Sequence, residues 1–310
     1  MTVDSPESPA AEPAAAAEPA ADPAAPGTAD QRVTSPDQPG ARQIQLAVLT
    51  ALAGGVLAAG SYLGPVALAV AVGLVQLLVT VSWLFGSAVP GRRGGLVLAV
   101  LAAGGADAAV LHWPHSGYSP VLGVLGLAVP AMFVHQLARG VVRTRVVESL
   151  ADITVLLVAV VALTGLLVLR RQGNGDILTP AVLGAITAGL VAAHFADAVY
   201  SAPRFDPAVD RGLPAVLIGV LAGGLVGLLG LRRVVEFAGG RGAFVGAAIA
   251  AVACLLSIGA AFSAVRSPLA PPGPAVPDGR AVRLRPVAAA LMTLALSTPA
   301  AYVLVNALAS

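Results

Sequence analysis

The chain has 310 residues, 57% of them hydrophobic and only 11% charged, with a mean hydropathy of +0.86 and a net charge of +2. Soluble domains carry about 25% charged residues, so this composition excludes an ordinary water-soluble globule. All eighteen basic residues are Arg, with no basic patch among aromatic residues, and Cys254 is the only cysteine; a nucleic-acid surface, an internal disulfide and a cysteine metal cluster are excluded with it.

Residues 1–43 hold eight Pro, seven acids and two Arg, and no aromatic residue. Such a segment buries too little apolar surface to offset its ordering entropy, so a disordered tail is expected over 1–43. It has neither a basic start nor an apolar centre and is not read as a signal peptide. From 44 to 308 the chain is a succession of apolar runs, each long enough for a helix to cross a bilayer core of about 30 Å. Nine spans are predicted, at 44–62, 65–86, 96–113, 121–137, 146–169, 181–200, 213–231, 243–265 and 287–308. Only Leu63 and Gly64 separate the first two, which makes them a tight helical hairpin. Backbone polar groups in lipid must pair internally, so helices are the only element expected. The fold class is thus all-α, a polytopic transmembrane helical bundle over residues 44–310.

Arginine placement sets the expected orientation. With the tail in the cytoplasm, thirteen Arg fall on the cytoplasmic side and five outside, namely Arg170, Arg171, Arg232, Arg233 and Arg241. That predicts a multi-pass protein of a bacterial plasma membrane with its N-terminus inside and its C-terminus outside. The seventh span carries Gly219, Gly223 and Gly227 at four-residue spacing. Small residues so spaced let helix backbones approach closely, either within one chain or as a homo-oligomer contact. Pro130 and Pro299 fall inside spans, where each frees a backbone carbonyl.

Ionisable residues inside spans cost about 2.5–3.5 kcal/mol on insertion scales, so each needs a partner or a purpose. His194 and Asp197 are three apart on the sixth span and share a helix face; Glu148 and Asp152 are four apart on the fifth. All four are expected at similar depth near the cytoplasmic ends of their helices. They form either a site for a divalent cation and a phosphate, with Asp197 and His194 as catalytic candidates, or a buried salt-bridge network with Arg139, Arg143 and Arg145. Asp107 lies two-thirds through the third span with no sequence-local partner, a candidate proton or ion relay. His112 and His115 flank Trp113, which reads as an interfacial anchor rather than a metal site. In SAPRFDPAVDRG, Arg204 and Arg211 are candidates for binding a lipid headgroup phosphate, in a loop that reads otherwise as solvated and self-paired.

Several segments carry a resemblance. RQIQLAVLTALAGGVLAAGSYLGPVALAVAVGLVQLLVTVSWLFGSA, LAVPAMFVHQLARG, ADAVYSAPRFDP, and LSIGAAFSAVR followed by LRPVAAALMTLALSTPAAYVLV stand in an order that resembles the phosphatidate cytidylyltransferases, the integral-membrane CDP-diacylglycerol synthases. The resemblance covers most of 42–308 and rests on spacing and hydrophobic pattern. It implies a cytoplasm-facing metal site that activates CTP toward phosphatidic acid. Only Asp197 matches a polar member of the family motifs; Gly259 and Ala260 stand where the family has Gly-Asp, and its Lys-rich and Asp-Arg elements have no counterpart in 266–290. Two-metal phosphoryl chemistry needs several carboxylates, so the resemblance implies a non-catalytic relative or changed chemistry.

Three functions follow as expectations. The first is a non-catalytic scaffold that binds membrane lipids or a partner, with no cofactor and no nucleic acid. The second is a cytidylyltransferase-type lipid-headgroup enzyme, which alone would need Mg2+. The third is a small-solute or proton-coupled transporter, for which Asp107 and the intramembrane prolines speak.

Overall fold

The computed structural model describes residues 39–87, 91–113, 115–138, 145–200, 202–206, 209–238, 240–266 and 279–309. The expected tail over 1–38 lies outside these residues, as do Arg139 and Arg143. In chain order the elements are α1 (Pro39–Leu63), α2 (Pro65–Gly86), α3 (Arg92–His112), α4 (Ser119–Ala138), α5 (Val146–Leu163), α6 (Gly165–Arg170), α7 (Gly175–Val199), β1 (Arg204–Asp206), β2 (Val209–Gly212), α8 (Leu213–Leu231), α9 (Arg241–Arg266) and α10 (Gly279–Ala309). α5 and α6 run as one span from Val146 to Arg170, so the described residues contain nine helices long and apolar enough to cross a membrane. The chain is a polytopic transmembrane helical bundle.

The ends of these helices explain their positions. Gly64 has φ 123°, a conformation that strains any residue with a Cβ, and Pro65 opens α2 where the missing N–H has no intrahelical partner to lose. The α1–α2 connection is therefore as tight as its sequence predicts. α1 begins at Pro39, so residues 39–43, assigned above to the tail, belong to the bundle. α7 begins six residues earlier than expected and takes in Pro180; α10 begins eight earlier and takes in Pro286. In both cases the added turns carry a charged residue, Asp176 or Arg283, that apolar runs leave out.

The core follows the chain's own polarity. Val146–Arg170 is the most enclosed span, with 78% of its apolar stretch buried against 22% for Ser119–Ala138. α5 packs on α2, α3, α4 and α10, whereas α7 packs chiefly on α1, α8 and α9. The glycine ridge of α8 is filled inside the chain. A Cβ on Gly223 would lie 2.2 Å from Ala250 Cβ and 2.9 Å from Gly246 O, and one on Gly227 would lie 2.3 Å from Gly242 O. One on Gly219 would meet Gly189 O at 2.7 Å. These three glycines seat α8 against α7 and α9 within the chain. The leucine face of α8, including Leu221 and Leu225, is exposed instead.

One element departs from the all-helical expectation. β1 and β2 form a two-stranded antiparallel hairpin at the end of α7, with Arg204 opposite Gly212 and Asp206 opposite Val209. Its strands pair with each other, and β2 packs on α7, α8 and α9.

Candidate functional site

Two polar clusters stand out among the described residues. The first is built at the end of α7. Asp197 and His194, three residues apart, project from one face of that helix as predicted. β2 brings Arg211 to them. Arg211 Nη1 donates to Asp197 Oδ2 at 2.7 Å, and the Gly212 N–H donates to Asp197 Oδ1 at 3.0 Å. Arg211 Nη2 donates to Ser257 Oγ on α9 and lies 3.4 Å from His194 Nε2. A guanidinium has no acceptor, so Nε2 is the accepting nitrogen and the ring hydrogen sits on Nδ1. That Nδ1 donates to Gln43 Oε1 on α1 at 2.9 Å. The carboxylate and guanidinium side chains are only 3% and 7% exposed, so the pair is desolvated and depends on these extra hydrogen bonds for compensation.

Asp197, Arg211 and Ser257 line a narrow cavity with Ala193, Ala215, Cys254 and Ile258. Its geometry corrects two expectations. Arg211 is buried and turned toward Asp197, not toward a lipid phosphate; Arg204, opposite Gly212 at the base of the hairpin, is exposed. Glu148 and Asp152 do not share the site. Glu148 pairs with Arg145 at the start of α5, as their spacing predicts, and Asp152 lies on the same helix, where its backbone carbonyl accepts from Trp83 Nε1 at 3.2 Å. The four groups therefore belong to two separate places, one on α5 and one on α7. Gln43 and Ser257 are members of the cluster that the sequence does not announce. Gln43 falls within the expected tail, and a single Ser in an apolar span carries no signal of its own.

The second cluster surrounds Asp107 on α3. Thr164 Oγ1 donates to Asp107 Oδ1 at 2.6 Å, and Gln76 Nε2 on α2 lies 3.3 Å from the same oxygen. Thr164 sits at the step between α5 and α6, where its N–H bonds to Val161 O at 3.2 Å. The helical partner of Val160 O is thereby diverted, and Gln76 Nε2 donates to that carbonyl at 2.9 Å. Gln76 and Thr164 are buried, Asp107 half-buried. Asp107 thus has partners on two other helices, which its own neighbourhood in sequence does not reveal. Gln76, a lone amide within an apolar run, is the legible signal.

The remaining candidates stay dispersed. The His112 ring stands edge-on to Trp113 at 5.0 Å, and His115 is exposed. Among the described residues no three His, Cys, Asp or Glu side chains group as a metal site. No family model, no curated protein and no solved structure matches this chain.

Proposed function

We propose that this protein is a non-catalytic multi-pass scaffold of a bacterial plasma membrane, oriented with its N-terminus in the cytoplasm, that binds membrane lipids or a partner. The observation that carries this reading is the Arg211–Asp197 pair. Its groups bond to Ser257, to the Gly212 N–H and to each other, and His194 bonds on to Gln43, so the cluster knits α1, α7, α9 and the hairpin together. A catalytic carboxylate must be open to a metal or a substrate; that of Asp197 is only 3% exposed and is held by Arg211 and the Gly212 N–H. The resemblance to the cytidylyltransferases is compatible with this as a retained framework without the family's acids.

The test is turnover of CTP and phosphatidic acid by purified protein with Mg2+. The scaffold reading expects no CDP-diacylglycerol, and expects Asp197→Asn to lower thermal stability. Turnover by the wild type that Asp197→Asn abolishes would establish the enzyme instead.

A further inference from the structure

We propose that the cluster around Asp107 binds a desolvated monovalent cation of Na+ size, ligated by Asp107 Oδ1, Thr164 Oγ1, the Val160 carbonyl and the side-chain oxygen of Gln76. This site is independent of the scaffold reading and of the Arg211 cluster.

Three oxygens from two spans converge on one point. Gln76 Nε2 occupies that point, 2.9 Å from Val160 O, 3.2 Å from Thr164 Oγ1 and 3.3 Å from Asp107 Oδ1. An amide nitrogen has two hydrogens, so it cannot satisfy three acceptors fully. A cation at the same point interacts with all three at once. If the amide turns by half a rotation and draws back, Gln76 supplies a fourth oxygen. The Thr164 hydroxyl then turns its hydrogen away from the carboxylate.

The chemistry of the donor set fits. Carboxylate, hydroxyl and carbonyl oxygens suit hard cations, and a carbonyl released where a membrane helix is interrupted is a recurrent ligand for Na+. Val160 O is such a carbonyl, because Thr164 N–H bonds one residue on. Among the described residues no Arg or His pairs with Asp107, so the carboxylate lacks a counter-charge at a depth where an isolated charge is costly. An intramembrane carboxylate without a counter-charge is a functional-site hypothesis by default. Asp107 itself is half-buried, so its carboxyl is not sealed from the outside of the bundle.

The experiment is thermal unfolding of the full chain in detergent micelles, with NaCl replaced stepwise by choline chloride at constant ionic strength and pH 8. Wild type is expected to show a saturable rise in Tm with Na+. Asp107→Asn and Gln76→Leu are expected to weaken half-saturation by about tenfold or more, the loss of roughly 1.4 kcal/mol of binding. Glu236→Gln, an exposed acid elsewhere, should keep the wild-type response. Tm in choline alone shows that each variant is folded, and if Asp107→Asn does not fold, Thr164→Val carries the comparison. Equal Na+ responses in wild type and every folded variant would overturn the site. So would a Tm that rises as pH falls yet ignores Na+, because the carboxyl then takes a proton and not a metal cation.

Discussion

At the scale of single residues, Arg211 and Asp197 form a buried ion pair. Each is almost fully buried, and a lone buried charge costs several kcal/mol. Arg211→Met should therefore destabilise the bundle by about 3–5 kcal/mol, since it leaves Asp197 uncompensated. Replacing both partners with apolar residues, Arg211→Met with Asp197→Leu, should cost less than either single change; a double-mutant cycle on unfolding in micelles checks the sign of the coupling. Glycines give a second residue-scale contrast. A Cβ on Gly54 would lie 2.0 Å from Thr187 Oγ1, while one on its neighbour Gly55 meets nothing within 4 Å. Gly54→Ala should lower the unfolding temperature and Gly55→Ala should leave it unchanged or slightly raised.

At the scale of elements, the α7–α8–α9 packing depends on backbone proximity. A Cβ on Gly246 would meet Gly223 O at 2.3 Å and Gly227 Cα at 2.7 Å, so α8 and α9 touch main chain to main chain. In lipid there is no hydrophobic force between helices, and close van der Waals packing takes its place. Gly223→Leu is expected to cost about 1–3 kcal/mol by overpacking this seam. A matching change on the exposed face of the same helix, Leu221→Ala, is expected to be near neutral in the same assay. The element boundaries show what hydropathy reads and what it omits. Apolar runs locate every span, but the opening turns that they leave out hold Asp176 in α7 and Arg283 and Arg285 in α10. An acid in the first turn of α7 also complements the positive end of the helix dipole. The β-hairpin is illegible for a related reason. Its strands, RFD and VDRG, are too short to carry a period that separates a paired strand from a loop.

At the scale of the whole molecule, the arginine asymmetry makes a direct prediction about topology. Alkaline phosphatase fused after Ser310 should be active and a fluorescent protein fused there should be dark, the pattern of an external C-terminus. The opposite result would invert every span. Cys254, the single cysteine, lies on α9 and is buried against α7 and α8. It should resist a membrane-permeant maleimide in the folded protein and react once the protein is denatured, a readout of global unfolding that needs no added label site.

Hydropathy alone gives the class of molecule and the nine long apolar helices found among the described residues, because the penalty for exposing backbone to lipid makes long apolar runs and helices nearly synonymous. The amino-acid sequence also determined which residues share a helix face, His194 with Asp197 and Glu148 with Asp152, and that Arg145 stands within reach of Glu148. Only the tertiary structure decided which faces meet. It set Arg211 on Asp197 through a hairpin, joined Gln43 to His194 across 151 positions, and brought Gln76 and Thr164 to Asp107. It also turned the glycine ridge of α8 inward. Contacts between helices depend on how each rotates and where it sits in the bundle. Those choices are made by the fit of small residues over many turns, and no local pattern in the chain encodes them.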